Sequence, residues 1–362
     1  MKILICPDKF KGSLHSNEVA NALKEGILKK NSDFIIRIIT LADGGEGSSE
    51  ILGSNNSSIL VNCKARDPLG RTIDSFYYYS PSKKAAFIDM SAASGIALLK
   101  EQERNPLLTS SIGTADLINH AMSNNVEQII LCLGGSATND AGLGMAYGLG
   151  FEFFSTNYSK VIPNGGNISE VNSITIPNIS FPKITLLHDV NNPMTGTNGA
   201  THTFARQKGA TEEAIRTLEK GLVNICHLIE KYTDKNMCGK AGMGAAGGLS
   251  LIPIAFMGAS LEQGFHRISN ESGLDKQIAW ADRVITGEGK LDFQSKQGKV
   301  VGEVEKICED QKKPLTIVCG EVDQYASTNP IYSILESTDA GTKESAQKYA
   351  YRHLVEIGEM IY

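Results

Sequence analysis

Acidic side chains follow several of the apolar runs that the sequence predicts to be β-strands. They are Asp8 with Lys11, Asp43 with Glu46, Asp189, and Glu288 with Asp292. Any one of them could simply cap a helix or form a turn. In an open parallel sheet, however, ligands bind at the carboxyl ends of the strands. Carboxylates and lysines gathered there suit metal-assisted phosphoryl transfer, because carboxylates bind Mg²⁺ and cations balance phosphate charge.

A glycine-rich loop follows the apolar run from Ile129 to Leu133, which is typical of a buried parallel strand. The loop supplies close backbone approach and short polar side chains through Gly134, Gly135, Ser136, Thr138 and Asn139. This is the chemistry of a phosphate cradle, although a strand that turns into a tightly packed helix also needs glycines. Neither the P-loop pattern nor the dinucleotide pattern fits. Because the loop has no lysine, we expect it to hold phosphate only if a cation or Mg²⁺ from another domain closes over it.

A second glycine cluster, from Gly242 to Gly247, does have the dinucleotide spacing. The residues before it, Asp234 to Cys238, do not resemble a strand. The cluster therefore leaves two interpretations open, a nicotinamide cofactor site and a helix that needs small residues for close packing.

Both ends of the chain have the β-α-β pattern of a parallel sheet, whereas the middle has shorter β runs and a hairpin. The predicted fold is α/β with two domains. A Rossmann/flavodoxin-like domain comprises residues 1–62 plus 282–362, and a mixed α/β domain, residues 63–281, is inserted between its halves. The helix that begins after Thr211 is predicted from its apolar stripe.

The composition of the 362-residue chain excludes several classes of protein. A hydrophobic fraction of 41% and a charged fraction of 21% are those of a globular protein rather than a disordered one. The net charge of −5 gives no basic surface for nucleic acid. No apolar run reaches the length of a signal peptide core or a membrane helix, so we expect a cytoplasmic protein without membrane or nucleic-acid partners.

The seven cysteines form an odd set and contain no Cys-x-x-Cys pair. Cys6, Cys132 and Cys319 lie inside apolar runs. This pattern favours buried free thiols over disulfides or a zinc site.

Six motifs, in chain order and at compatible spacing, resemble those of the bacterial glycerate kinases of the first class. They are Pro7-Asp8-x-Phe10-Lys11-Gly12-Ser13, Ala42-Asp43-Gly44-Gly45-Glu46-Gly47, Gly134-Gly135-Ser136-Ala137-Thr138-Asn139-Asp140-x-Gly142, Asp189-Val190-x-Asn192-Pro193, Gln207-Lys208-Gly209-Ala210 and Thr286-Gly287-Glu288-Gly289. The resemblance covers essentially the whole chain. It implies ATP-dependent phosphorylation of glycerate, usually at the 2-position, with Mg²⁺ and with the active site in a cleft between two α/β domains.

The roles of individual residues follow from residue type and loop position within that family. Asp189, Lys11 and Asp43 are the expected catalytic residues, with Asp189 as the general base and Lys11 neutralising the substrate carboxylate or the moving phosphate. Asp43 and Glu288 are expected to hold Mg²⁺, directly or through water. The nucleotide would contact Gly134, Gly135, Ser136, Thr138, Asn139 and Gly287. Glycerate would contact Asp8, Ser13, Asn192 and Lys290.

Two other classes of function remain as alternatives. A nicotinamide-dependent hydroxy-acid oxidoreductase would use the Gly242 cluster, and a non-catalytic sugar-acid-binding protein would bind glycerate without producing ADP. The expected small-molecule partners are glycerate and ATP. The sequence leaves open a homodimer, the choice between the 2- and 3-hydroxyl groups, and the identity of the base.

Overall fold

The computed structural model describes residues 1–296 and 298–362, except for the side chain of Gln294. The chain forms two compact units, one made of Met1–Asp43 with Phe265–Tyr362 (unit 1) and one made of Gly44–Gly264 (unit 2). Each unit has a central sheet covered by helices, so the chain has the α/β fold class that the sequence predicts. The two ends of the chain share unit 1.

The unit boundaries differ from those expected at residues 62 and 282. The segment after Gly44 enters unit 2 because its helix, Ser48–Asn55, packs on the strand Ala85–Asp89. At the other boundary, the strand Ser260–Gln263 pairs within the unit 2 sheet, and the chain enters unit 1 only afterwards.

Strands and helices alternate along much of the chain. The strands are β1 (Lys2–Ile5), β2 (Ile35–Ile38), β3 (Ile59–Arg66), β4 (Thr72–Ser80), β5 (Ala85–Asp89), β6 (Gln128–Leu133), β7 (Glu152–Phe154), β8 (Lys160–Val161), β9 (Ser173–Thr175), β10 (Lys183–His188), β11 (Ser260–Gln263), β12 (Arg283–Leu291), β13 (Leu315–Val322) and β14 (Ile331–Ser333). The α-helices are α1 (Ser16–Lys30), α2 (Ser48–Asn55), α3 (Ser91–Ser94), α4 (Ile112–Ser123), α5 (Leu143–Gly148), α6 (Ala200–Phe204), α7 (Glu212–Thr233), α8 (Leu251–Phe256), α9 (Gly264–Ser272), α10 (Leu274–Trp280), α11 (Val300–Asp310), α12 (Ile334–Ser337), α13 (Lys343–Lys348) and α14 (Ala350–Met360). None of the helices in the described ranges is long and apolar enough to cross a membrane.

The sheet of unit 1 has the order β14-β13-β12-β1-β2, and all of its neighbouring pairs are parallel. The β1–β12 ladder continues beyond the end of β1. The backbone N–H of Cys6 donates to the Ile285 carbonyl at 2.8 Å, and that of Asp8 donates to the Gly287 carbonyl at 2.8 Å. The ladder thereby holds Asp8 beside the second half of β12.

Helices α1 and α14 pack together over this sheet. The apolar stripe of α1, which includes Val19, Leu23 and Ile27, is buried. The close approach of the two helices depends on Gly26, because a Cβ at that position would lie 2.0 Å from the Val355 carbonyl oxygen.

The main sheet of unit 2 has the order β11-β10-β6-β5-β4-β3. Strands β11, β10, β6 and β5 are parallel, whereas β4 and β3 form an antiparallel hairpin, as the sequence predicts. A small sheet, β8-β7-β9, accompanies it. Helix α7 begins where expected, since the Thr211 hydroxyl accepts from the Ala214 N–H at 3.2 Å.

Some elements differ from the sequence-based expectations. Strand β12 extends to Leu291, rather than ending before Glu288, because its pairing with β13 continues to Val322. The segment containing Gly242 and Gly247 forms turns and a short 3₁₀ helix rather than an α-helix, and Ala246 has a left-handed backbone at φ +51°. Those glycines serve close packing against neighbouring loops instead of helix-to-helix contact.

The Gly26 contact yields a stability prediction. Gly26→Ala should lower the free energy of unfolding by about 1–3 kcal/mol, because the new methyl group would overlap backbone that cannot move easily. This loss should appear although alanine favours helix by about 1 kcal/mol over glycine. Urea denaturation measures the change. The control is Gly239→Ala, where no atom lies within 4 Å of the added Cβ; equal stability of the two variants would contradict the packing argument.

Candidate functional site

Unit 1 gathers carboxylates from three neighbouring strands at the carboxyl edge of its sheet. Asp8 follows β1, Asp43 follows β2, and Glu288 lies within β12. Asp8 is buried, and its pKa is raised well above the ordinary value by burial and then by the nearby charges of Asp43 and Glu288. Its Oδ1 also accepts from the Lys9 N–H at 2.7 Å. Asp43 and Glu288 therefore lie close enough to Asp8 for their charges to act on it, whereas the role of each acid stays a prediction.

Glu288 is a buried acid of this group, and one of its carboxylate oxygens lacks a hydrogen bond from any described residue. It is 7% exposed, and its Oε1 atom has no hydrogen-bond partner among the described residues. Burial raises the pKa of Glu288 to about 7, and the charges of Asp43 and Asp292 add to that effect, whereas Ser295 and Lys299 oppose it. A buried carboxylate oxygen without a donor is costly unless a ligand or cation satisfies it.

The donor set of this cluster fits a hard divalent cation. Mutually repelling, buried carboxylates with an unpartnered oxygen are the groups that Mg²⁺ binds, commonly with water in its remaining positions. Asp8, Asp43 and Glu288 do not, however, form a group with all ligand atoms within 4.8 Å; among the described residues Asp339, His353 and Glu356 do. That second group lies elsewhere in unit 1, and Arg352 already pairs with both of its carboxylates. Water-mediated binding therefore suits the first cluster better than direct binding by every acid.

The other predicted residues of unit 1 have varied surroundings. Lys11 is exposed. The Ser13 hydroxyl donates to the Gln347 carbonyl at 2.8 Å, and Lys290 Nζ lies 2.8 Å from Asp323 Oδ2. Gly287 has a packing role as well, because a Cβ there would lie 2.1 Å from the Val318 carbonyl oxygen. Of this group, Lys11 has the side chain most available to a ligand.

In unit 2, the glycine loop after β6 packs directly on the loop that precedes α2. A Cβ at Gly134 would lie 2.4 Å from Gly45 Cα, and one at Gly135 would lie 2.9 Å from Glu46 Oε2. Gly135 also has a left-handed backbone at φ +66°. The glycines predicted from sequence are thus required by both packing and conformation, and both remain partly exposed.

The polar side chains of the same loop point into the unit. Ser136 is 8% exposed, and Thr138 and Asn139 are 0% exposed. Asn139 Nδ2 donates to Thr201 Oγ1 at 3.1 Å, but Asn139 Oδ1 and Thr138 Oγ1 have no partner among the described residues. An anion on the exposed side of the loop would therefore meet the backbone of Gly134 and Gly135 before it met these side chains.

Lys208 is a residue of this site to which sequence reasoning gave no role. It is 4% exposed, and its ammonium group donates to Ser136 Oγ at 2.8 Å and to the Thr138 carbonyl at 2.7 Å. Burial lowers the pKa of Lys208 to about 8, and the charge of Asp140 opposes that shift. The loop thus contacts a cation from its own unit. Nothing in the sequence indicates this contact, because the loop itself contains no lysine.

Asp140 fixes the turn from the loop into α5. Its carboxylate accepts from the Ser111 N–H at 2.7 Å, the Ser111 hydroxyl at 2.8 Å, the Gly142 N–H at 3.1 Å and the Gly144 N–H at 3.2 Å. Burial raises the pKa of Asp140, and these donors oppose the increase. Its role in the described structure is to hold backbone, so we place it among the supporting residues.

Asp189 follows β10, the strand beside β6, and is partly exposed at the same edge of the sheet. The preceding His188 is buried, its Nδ1 lies 2.8 Å from the Val190 carbonyl, and burial lowers its pKa. Gly242 packs on this ring, since a Cβ there would lie 2.8 Å from His188 Cε1. The histidine thus supports the backbone around Asp189 as a packed, neutral ring.

Asn192 helps to shape the loop after Asp189. Its Nδ2 donates to the Asn198 carbonyl at 2.7 Å and to Thr203 Oγ1 at 3.2 Å, and its own carbonyl accepts from the Gly244 N–H at 2.9 Å. The second glycine cluster therefore packs against this loop. The structure places no strand between α7 and this cluster within residues 234–241, so the strand that a dinucleotide motif requires is missing there.

Asp89 is a second residue that the sequence reasoning missed. Its carboxylate accepts from the Gly47 N–H at 2.8 Å and the Ser49 N–H at 3.1 Å, and so binds the start of α2. A signal for it exists in the sequence, because Asp89 is the last residue of the apolar run that forms β5, just as Asp8 and Asp189 follow theirs.

The expectation of free thiols throughout is wrong for one pair of cysteines. Cys226 and Cys238 form a disulfide with a Cα–Cα distance of 6.0 Å. Cys226 lies on α7, and Cys238 lies on the segment that follows the helix. That segment turns back along α7, which brings the two cysteines together. Cys6, Cys63, Cys132, Cys308 and Cys319 are free, as predicted.

Comparison with known proteins identifies the family. A family model described as the glycerate kinase family matches residues 3–362. A glycerate kinase of Bacillus cereus is 35% identical over 366 residues, covering 98% of this chain and 95% of the relative. The glycerate 2-kinase of Escherichia coli is 34% identical over 364 residues, with the same coverage of 98% and 95%.

A solved structure agrees with this assignment. The crystal structure named glycerate kinase 2, from Salmonella typhimurium LT2, superposes with a TM-score of 0.79 and is 35% identical. The match covers 100% of this chain and 98% of that one. The predicted resemblance to glycerate kinases is therefore confirmed.

The burial of Lys208 predicts a pH-dependent stability difference. Its pKa is about 8 in the folded protein against an ordinary value of 10.5, so between these pH values the unfolded chain binds more protons than the folded one. The stability of the wild type relative to Lys208→Met should be constant below pH 8 and then rise by up to about 3 kcal/mol toward pH 10.5.

Urea denaturation of the wild type and of Lys208→Met at each pH measures the difference between their free energies of unfolding. The contributions of all other titrating groups cancel in this difference. A difference that stays constant or falls with pH would show that Lys208 does not titrate as its burial requires.

Proposed function

Because the chain belongs to the glycerate kinase family, we propose that it transfers the γ-phosphoryl group of ATP to glycerate, with Mg²⁺ and with the 2-hydroxyl group as acceptor. The observation that carries this proposal is the family match over residues 3–362, together with the polar loops that follow the parallel strands of both sheets. Phosphoryl transfer depends mainly on positioning and on charge stabilisation, and these loops supply groups for both.

The acidic cluster of unit 1 is the proposed metal site. Asp43 and Glu288 would hold Mg²⁺, directly or through water, and the charges of both act on Asp8. When bound, the ion would offset the negative charge of the ATP phosphates. The Oε1 atom of Glu288, which has no hydrogen-bond partner among the described residues, supports this assignment, because a cation can satisfy such an oxygen.

Asp189 is the proposed general base. The glycerate hydroxyl oxygen forms a bond to the γ-phosphorus while the bond from that phosphorus to the leaving ADP oxygen breaks, and the hydroxyl proton passes to the Asp189 carboxylate. Its place at the end of β10, partly exposed, suits a group that must meet substrate. Packing of His188 and Gly242 restricts the backbone next to it.

The remaining residues are proposed to bind the two substrates. Lys11, which is exposed, would neutralise the glycerate carboxylate or the transferred phosphate. Ser13, Asn192, Lys290 and Asp8 would contact glycerate, and for Lys290 this means leaving Asp323. Gly134, Gly135, Ser136, Thr138, Asn139 and Gly287 remain the proposed nucleotide residues. A cleft between the domains remains a prediction from the family resemblance.

A coupled assay for ADP, with glycerate and ATP as substrates, tests the function. Phosphorus NMR of the product then separates 2-phosphoglycerate from 3-phosphoglycerate. Binding of glycerate without ADP production would support a sugar-acid-binding protein instead, and glycerate-dependent reduction of a nicotinamide cofactor would support an oxidoreductase.

Replacement of the proposed base should remove most of the turnover. Asp189→Asn should reduce kcat at least about 100-fold, because proton transfer to a positioned base contributes about 10²–10⁴-fold. The glycerate KM should change little, since asparagine has nearly the same shape. The matched control is Asp74→Asn, which makes the same charge change on a side chain that is 88% exposed. Near-normal turnover of Asp189→Asn would assign the base to another residue.

The metal site gives a separate prediction. Asp43→Asn and Glu288→Gln should each raise the Mg²⁺ concentration for half-maximal activity about tenfold or more, which corresponds to about 1.4 kcal/mol of lost binding free energy. Mn²⁺ binding measured by electron paramagnetic resonance should weaken in parallel, without any turnover. Asp33→Asn, on an exposed side chain of the same unit, is the control. Unchanged metal affinity in both site variants would move the metal away from these acids.

A further inference from the structure

We propose that Lys208 is a positioning residue for the nucleotide: it holds the Gly134–Asn139 loop in its anion-binding shape and supplies the positive charge that the loop lacks. This inference rests on the proposed function, because it takes the loop to contact the phosphates of ATP. Lys208 acts through the loop, and its side chain is not expected to touch the substrate.

The two hydrogen bonds of Lys208 bridge the turn of the loop. Its ammonium group donates to Ser136 Oγ at 2.8 Å and to the Thr138 carbonyl at 2.7 Å, on either side of Ala137. The segment around Gly247 also packs on this turn, since a Cβ at Gly247 would lie 2.4 Å from the same Thr138 carbonyl oxygen. Removal of the lysine would therefore release both sides of the turn at once.

Local structure places Lys208 at this position. The residue lies in the 3₁₀ turn Arg206–Lys208, which ends at Gly209 with a left-handed backbone at φ +92°. A Cβ at Gly209 would lie 2.1 Å from the Arg104 carbonyl oxygen, so this turn is held tightly against the segment around Arg104. The lysine is directed into the interior by backbone that has little freedom to move.

The charge of Lys208 is not explained by the hydrogen bonds that it makes. Both acceptors are neutral oxygens, which a neutral donor could satisfy equally well. Asp140 favours the charged lysine from a distance, but its own oxygens accept from Ser111, Gly142 and Gly144. Burial of a charged ammonium group is costly unless a charge of opposite sign compensates it. Within the described part of the chain, no carboxylate makes that compensating contact.

A phosphate group on the exposed side of the loop would provide the missing negative charge. Gly134 and Gly135 are partly exposed, and Ser136, which accepts from the ammonium group, directly follows them in the loop. A charge in a buried, weakly polar environment acts over a greater distance than one in water. Lys208 would thus attract phosphate through the loop while its hydrogen bonds fix the loop's backbone.

Nucleotide binding in matched variants tests the proposal. Lys208→Met retains much of the side-chain volume and removes the charge, whereas Arg206→Met removes one positive charge from an exposed side chain in the same turn. Calorimetry would measure the Kd of Mg·ADP without glycerate, and steady-state kinetics would measure the KM values of ATP and glycerate. Lys208→Met should weaken ADP binding at least tenfold and leave the glycerate KM within twofold. Arg206→Met should change each of these values less than twofold.

A double-mutant cycle separates positioning from a general loss of structure. Ser136→Ala removes one acceptor of the lysine, and should weaken ADP binding about two- to fivefold. In the double variant Lys208→Met/Ser136→Ala, the loss should equal that of Lys208→Met alone, because the two residues act through one contact. Thermal unfolding of each variant shows whether it is folded. If Lys208→Met does not fold, Lys208→Gln, which removes the charge and keeps a donor for the loop, should likewise weaken ADP binding, and wild-type affinity of this variant would overturn the proposal.

Several outcomes would overturn the proposal. One is ADP affinity of a folded Lys208→Met within twofold of the wild type, and another is an equal loss for glycerate and for nucleotide. An effect of Arg206→Met as large as that of Lys208→Met would also do so, as would wild-type ADP affinity in Ser136→Ala. A wild-type protein that binds ADP but produces none from glycerate and ATP would instead refute the proposed function, because the binding experiment does not depend on turnover.

Discussion

Backbone hydrogen bonds between parallel strands hold the carboxyl ends of those strands at one edge of each sheet. In unit 1, the β1–β12 ladder continues to the bond from the Asp8 N–H to the Gly287 carbonyl, and so keeps Asp8 beside Glu288. In unit 2, the pairing of Leu133 with His188 brings the glycine loop and Asp189 to neighbouring strand ends. The chemistry of both units therefore depends on strand register as much as on residue type.

Each edge contains buried charge that a ligand of opposite charge would stabilise. Unit 1 has buried carboxylates whose pKa values are raised by burial and mutual repulsion, as Asp8 and Glu288 show. Unit 2 has a buried ammonium group, Lys208, beneath a loop that exposes two glycines. In a weakly polar interior, burial of such a charge costs free energy, and the binding of a ligand of opposite charge compensates that cost. A metal cation and a phosphate group are the components of phosphoryl transfer that would meet these requirements.

Local patterns predicted the elements whose stabilising contacts are close in sequence. Helix α7 begins after Thr211 as its cap and apolar stripe indicate, and β3 and β4 form the expected hairpin. Prediction was less accurate where distant segments decide the outcome. Strand β12 continues to Leu291 because β13 pairs with it. Cys226 and Cys238 are only 12 residues apart, but they meet because the segment after α7 turns back along the helix. Neither effect has a signature in the nearby residues.

The sequence alone determined the α/β class, the family, and the acids and glycines that follow the strands, because a strand and its exit loop are adjacent in the chain. Only the tertiary structure decided what surrounds each of those groups. It buried a Glu288 oxygen where no described residue donates to it, turned Ser136 and Thr138 toward the interior, and placed Lys208 beneath a loop about seventy residues earlier in the chain. Burial, charge and hydrogen-bond partners come from packing between distant segments, and local sequence does not encode them.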